Sequence, residues 1–234
     1  LKIWMVWKYF ILGCLIATYF VLMFEGLKTS PSTSLSAVLT LTPLIAAILE
    51  FVFFKKKTSK FDLVAIFIGA LGAMWIIFEA DKSKFFTFDI GYGEAIFLIG
   101  CICQVTYTML LVKLNSGEST IEQTSVIMLF SGIILIFFDF KVIFHTEWLE
   151  LEPLVWITIG YLSIFATAAA FFIIQYSRKF LPSSYLMAYY YLVPMWVLIF
   201  EIIFFQSVFA PKIWIGFLAI ICAFSIILYK DIKL

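Results

Sequence analysis

The chain has 234 residues, of which 64% are hydrophobic and only 13% charged, against about 45–50% apolar and about 25% charged in a soluble domain. Its net charge is +1, with one arginine, Arg178, among sixteen basic residues, so it has neither a basic field for nucleic acid nor an arginine set for phosphate. These values exclude a soluble globule and indicate an all-α, polytopic membrane protein embedded in a lipid bilayer.

A transmembrane helix needs about 20 mostly apolar residues, and eight such runs follow one another along the chain. The first, 5–24, ends at the polar break Glu25–Pro31. The second, 33–54, carries Ser36, Thr40, Pro43 and Glu50 and stops at Lys55-Lys56-Lys57. The third, 62–79, holds the small residues Ala65, Gly69 and Ala73 at four-residue spacing, and Trp75. The fourth, 92–112, places Gln104, Tyr107 and Thr108 mid-run. The fifth, 124–143, leads to a loop with the only histidine, His145, beside Glu147. The sixth, 154–176, is rich in small residues and ends near Gln175. The seventh, 184–208, combines Tyr185, Tyr189, Tyr190, Tyr191 and Trp196 with Pro194 and Glu201. The eighth, 213–229, follows Pro211 and carries Ala219 and Ala223. Pro31, Pro153, Pro182 and Pro211 each stand at or just before a run, where helices begin. The runs are continuously apolar, unlike the alternating strands of a membrane barrel. The small residues are expected to let helices pack closely.

With the N-terminus in the cytoplasm and eight alternating spans, eleven of the sixteen basic residues fall inside and five outside. The positive-inside rule requires that direction. The expectation is a multi-pass protein of the cell (inner) membrane with both termini cytoplasmic.

Shifted by 151 residues, positions 28–54 align without a gap on 179–205, with 11 identities in 27. Pro31/Pro182, Pro43/Pro194 and Glu50/Glu201 carry the most weight, because apolar matches are common in any membrane protein. The two copies run in opposite directions through the membrane, which makes the repeat inverted, as in alternating-access carriers. Residues 1–83 then form a first half with three helices and 84–234 a second half with five. The arithmetic leaves two helices, about 60 residues at the second half's spacing, without a counterpart. Either they precede residue 1, or the protein has eight helices by nature.

The pattern Pro-Ser-x(4)-Ala-x(5)-Pro, at Pro31–Pro43 and Pro182–Pro194, with the small-residue helix Gly69-Ala70-Leu71-Gly72, resembles the EamA-like domain pair of the drug/metabolite transporter superfamily. The resemblance covers the chain but for the first two of the family's ten helices. It implies five-plus-five inverted helices and a secondary-active transporter of a small organic metabolite, such as an amino acid or drug-like cation. Export, with protons as coupling ion, is what the family leads one to expect. Many members place a Glu-Arg pair after the proline helix, whereas this chain has Lys55-Lys56-Lys57 and Gln206-Ser207-Val208; no role for that pair is carried over. A carrier of sugar conjugates or nucleotide sugars, and a truncated membrane protein that transports nothing, remain as alternatives.

Charged groups are costly inside a bilayer, so Glu50 and Glu201 lead the candidates for binding a cationic group or a proton, or for gating. Each stands seven residues after a proline, and so shares its face. Pro43 and Pro194 remove a backbone donor and are candidate hinges. Tyr191 lies on the Pro194–Glu201 face, and Trp196 adds an aromatic wall suited to cations. Gln104 and Tyr107 either meet substrate or link helices. Structural readings stand beside each: snorkelling acids, packing kinks and interface aromatics.

Enzyme chemistry finds no support in this pattern. It contains no histidine cluster, no acidic pair at metal spacing and no P-loop glycines. Cys14, Cys101, Cys103 and Cys222 sit in apolar runs and read as buried thiols rather than as a disulfide framework or zinc site. No cofactor and no metal are expected, and the ring of polar residues that a pore filter needs is also missing. The expected partners are a small-molecule substrate and the bilayer; the active unit is a monomer or a homodimer.

Overall fold

The computed structural model describes residues 6–55, 59–78, 90–115, 117–177, 180, 189–206, 208 and 210–231. All eight apolar runs are mainly helical in their described residues. Residues 184–188 with Tyr185, the repeat residues Pro182 and Ser183, and Lys56 and Lys57 lie outside them.

In chain order the helices are α1 Val6–Leu27, α2 Ser32–Leu39, α3 Thr42–Phe54, α4 Lys60–Ile77, α5 Tyr92–Lys113 and α6 Thr120–Phe138. A short α7, Phe140–His145, follows, then α8 Pro153–Tyr161, a π-helical stretch Leu162–Ala169 and α9 Ala170–Ser177. A 3-10 turn, Tyr189–Leu192, leads into α10 Val193–Phe205, and α11 spans Ile213–Asp231. Five apolar segments among the described residues are long enough to cross a membrane: Trp7–Leu27, Ser32–Phe53, Tyr92–Leu111, Thr120–Phe138 and Pro153–Ser177. The shorter Tyr189–Phe205 and Ile213–Ile227 are also apolar.

The second run consists of two helices, α2 and α3, and the described part of the seventh consists of a 3-10 turn and α10. Pro43 and Pro194 do not kink a continuous helix; each lies in the first turn of a new one, α3 or α10. A first-turn proline gives up a donor that has no helical partner there. The residues just before, Leu41 and Leu192, keep right-handed backbone, so the chain passes through a tight turn rather than a loop. Thr40 and Leu41 donate their amides to Ala37 and Val38, each at 3.0 Å. Proline sets the break, and the turn keeps the span whole.

The likeness between the pieces extends to how they stop. α3 and α10 each have 13 residues, start 151 residues apart and end on a left-handed residue. Those residues, Lys55 (φ 52°) and Gln206 (φ 50°), are the non-glycine positions with positive φ among the described residues.

The chain divides into two compact units. One comprises Leu1–Thr18 with Tyr107–Leu181, the other Tyr19–Thr106 with Pro182–Leu234. In the first unit, a capping box opens α6: Ser119 Oγ accepts from the Glu122 amide at 3.3 Å, and Glu122 returns the bond to the Ser119 amide at 3.1 Å. Two orphan helix donors are thereby satisfied. α9 packs on α6.

In the second unit, α4 packs along α11 and α2 packs against both α4 and α10. The α4–α11 contact is close because Gly72 and Gly216 face each other. A Cβ built on either would lie 2.7 Å from the other's carbonyl oxygen. One core cluster joins Ala37, Ala65, Ala73, Tyr191, Leu198 and Ile220, and another joins Tyr19, Leu35, Val38, Leu39, Phe97 and Cys101. α2 contributes to both clusters.

Candidate functional site

The second unit holds seven of the eight residues singled out in the sequence as site or hinge candidates, and Tyr107 falls in the first. On the 3-10 turn and α10, Tyr191, Pro194, Leu198 and Glu201 follow at three- and four-residue steps and form one face. The first three are buried and Glu201 is half-buried. On α5 the same spacing aligns Glu94, Phe97, Cys101 and Gln104, all buried. The α10 face packs with α4 and α11 in one cluster and the α5 face with α1 and α2 in the other, while hydrogen bonds tie α5 to α10 and the turn before it at two levels.

At one level Gln104 Nε2 donates to the Tyr190 hydroxyl at 3.1 Å. At the other level the links run through the start of α2. Ser30 Oγ donates to Glu94 Oε2 at 2.6 Å, and Ser32 Oγ donates to Glu201 Oε1. Glu94 and Gln104 are ten residues apart, about 15 Å of helix, and Tyr190 and Glu201 are eleven apart, about 16 Å. The matched spacing makes α5 and α10 run in opposite directions with polar groups at both levels. Apolar side chains lie between.

Ser32 lies in the stretch 28–54 and Glu201 in 179–205, which aligns on it at the 151-residue shift, so their bond joins the two matching stretches. Ser183, the repeat counterpart of Ser32, lies outside the described residues. Glu50, counterpart of Glu201, is half-buried on α3. Ser36 and Thr40, on the Glu50 face, donate to their own helix at Thr33 and Ala37, 2.7 and 2.6 Å away. These hydroxyls serve the backbone.

Tyr191 has no exposed surface. Its ring rests on Gly69 of α4, where a Cβ would come within 2.6 Å of Cε1 and 2.8 Å of the hydroxyl. The phenolic oxygen is buried without a hydrogen-bond partner among the described residues. A lone hydroxyl in an apolar core is costly.

The remaining candidates lie elsewhere. Trp196 is 58% exposed and lines up with Phe200 and Phe204 on the outward face of α10. Tyr107 belongs to the first unit, where its hydroxyl accepts from Gln175 Nε2 at 3.1 Å and its ring meets the edge of Phe171. Trp75 Nε1 donates to the Lys212 carbonyl at 2.8 Å and links helices. His145 is exposed and bonds back to the Lys141 carbonyl at 2.7 Å.

Glu94 is the residue the sequence reading passed over. It stands three residues into a helix and next to Gly91-Tyr92-Gly93, where an acid reads as an ordinary first-turn charge facing water. Burial and the Ser30 bond distinguish it. Among the described residues no group of three His, Cys, Asp or Glu side chains could hold a metal ion.

Comparison with known proteins decides the family. The profile of the EamA-like transporter family matches residues 1–78 and 91–229. The chain belongs to the EamA-like transporter family. This EamA-like chain is 26% identical over 192 residues to a Bacillus subtilis (strain 168) protein named uncharacterized transporter YyaM. That alignment covers 80% of this chain and 62% of the relative, so the chain spans less than two thirds of its length. A solved crystal structure superposes with a TM-score of 0.71 at 14% identity, covering 97% of this chain and 78% of that one. The likeness is one of fold. Family, fold and apolar helices agree on a multi-pass helical membrane protein.

Proposed function

We propose that this EamA-like chain is a secondary-active carrier that exports a small organic metabolite, such as an amino acid or drug-like cation, by alternating access. One observation carries the reading: α3 and α10, 151 residues apart in sequence and alike in length, first-turn proline and cap, belong to matching stretches that Ser32 and Glu201 tie together. Broken helices of inverted repeats are where carriers place substrate and coupling-ion sites. In this reading Glu201, Tyr191 and Gln104 meet the substrate, Glu50 serves at the pseudo-symmetric position, and Pro43 and Pro194 are hinges. Protons are the coupling ion. The lysine distribution supports cytoplasmic termini in a cell membrane.

A phosphorylated cargo such as a nucleotide sugar needs basic groups along the path. The polar groups named on α5, on α10 and on the turn before it are acids, an amide and phenols. A cationic or zwitterionic cargo suits them better.

The test is transport by the purified protein in proteoliposomes, with an amino-acid and organic-cation panel, with and without an imposed pH gradient. Gradient-dependent movement of one compound class is the expected result. Movement of nucleotide sugars alone would overturn the substrate class, and gradient-independent movement would overturn the proton coupling. If no compound in either panel moves, the carrier reading fails.

A further inference from the structure

Three consecutive residues hold carboxylates from two different helices. Ser30 bonds Glu94 of α5, and Ser32 bonds Glu201 of α10. Between them Pro31 caps α2 with extended backbone, φ −62° and ψ 148°. The proline ring fixes that φ, so the two hydroxyls are held at a set separation before either carboxylate arrives. Lys28, two residues upstream of Ser30, pairs with Glu25 at 2.5 Å. The polar part of the link from the start of α2 to α5 and α10 is made by hydroxyls. A hydroxyl–carboxylate bond is strong enough to hold a state and weak enough to break in a cycle.

What lies beneath the segment gives it a purpose. From Glu94 the buried face of α5 continues to Phe97 and then Cys101, which has no exposed surface. Leu35, Val38 and Leu39 of α2 cover that thiol in the same cluster. If the serines let go, α2 loses its polar tie to α5, and Cys101 is a buried thiol placed to report the loss.

We infer that Ser30-Pro31-Ser32 is a clasp that holds the start of α2 to α5 and to α10, and that opening it releases Glu94 and Glu201 together. Ser30 and Ser32 are positioning residues, acting through the two carboxylates. The inference rests on the carrier reading for the meaning of that opening, but its test needs no substrate.

The experiment measures modification of Cys101 by a membrane-impermeant methanethiosulfonate in the reconstituted full chain, with Cys14, Cys103 and Cys222 replaced by alanine. Ser30→Ala with Ser32→Ala is expected to raise the rate by about tenfold or more, the equivalent of one charge-assisted bond. Ser30→Thr with Ser32→Thr, which keeps both hydroxyls, is expected to return it towards the parent rate. An unchanged rate in the alanine protein overturns the clasp, and so does an equal rise in the threonine protein, which would signal general loosening. If the double alanine protein does not fold, each single alanine variant is held to the same comparison with its threonine partner. A clasp that responds as expected in a protein that moves no compound would overturn the carrier reading and leave the clasp standing.

Discussion

Thr42 Oγ1 donates to the Leu39 carbonyl at 2.7 Å, the acceptor that residue 43 would serve in an unbroken helix if it were not proline. The hydroxyl beside the proline replaces the bond the proline removes. Thr40 and Thr42 are fully buried on either side of the half-buried Leu41, so water is poorly placed to take its place. Val193 stands at the repeat position of Thr42 and has no hydroxyl to do the same.

Thr42→Val is therefore expected to lower stability by about 1 kcal/mol, and Thr42→Ser to lower it less. Thermal unfolding in detergent reads the difference. Equal stability of the valine variant and the parent would mean that the Leu39 carbonyl finds another donor.

Tyr191 offers a test in which stability and function move in opposite directions. Tyr191→Phe removes a buried hydroxyl without a partner among the described residues and is expected to raise stability by about 1 kcal/mol. If the phenol meets cargo, the same variant loses transport. Melting temperature and proteoliposome uptake, measured on one preparation, decide between core filler and contact residue.

The two membrane acids are expected to differ. Glu201→Gln keeps size and inserts normally but loses transport on the order of tenfold, the scale of a lost charge-assisted bond. Glu50→Gln is expected to be milder. Parent turnover in Glu201→Gln, at equal protein level, would remove the carboxylate from the mechanism.

Packing of α4 on α11 predicts a cost at Gly216. An alanine there would set its Cβ 2.7 Å from the Gly72 carbonyl oxygen and 2.7 Å from Ile76 Cγ1. Gly216→Ala is expected to cost about 1–3 kcal/mol by forcing the helices apart, read as a lower melting temperature.

Much of the fold could be read because bilayers enforce simple rules. A run of apolar residues between lysines and prolines leaves few alternatives, and a 151-residue register showed where breaks would recur. The site was harder to read. α10, Val-Pro-Met-Trp-Val-Leu-Ile-Phe-Glu-Ile-Ile-Phe-Phe, is apolar at almost every position, so no period separates the buried Leu198 from the outward Trp196. Both prolines were visible, but whether a proline kinks a helix or starts one depends on the turn before it. Ser30, Ser32 and Glu94 carry no unusual spacing in sequence; they become a group once 64 and 169 residues of intervening chain bring the bonded pairs together.

The left-handed residues that end α3 and α10 have a wider consequence. Lysine and glutamine share little chemistry, and neither favours φ near 50°. Yet both adopt it at the same register, one residue past a 13-residue helix. The stop is thus repeated as a shape of the main chain, not as a residue type. A left-handed residue just past a helix frees the last carbonyls for the chain's own amides, so each helix can end sharply with whatever side chain stands there.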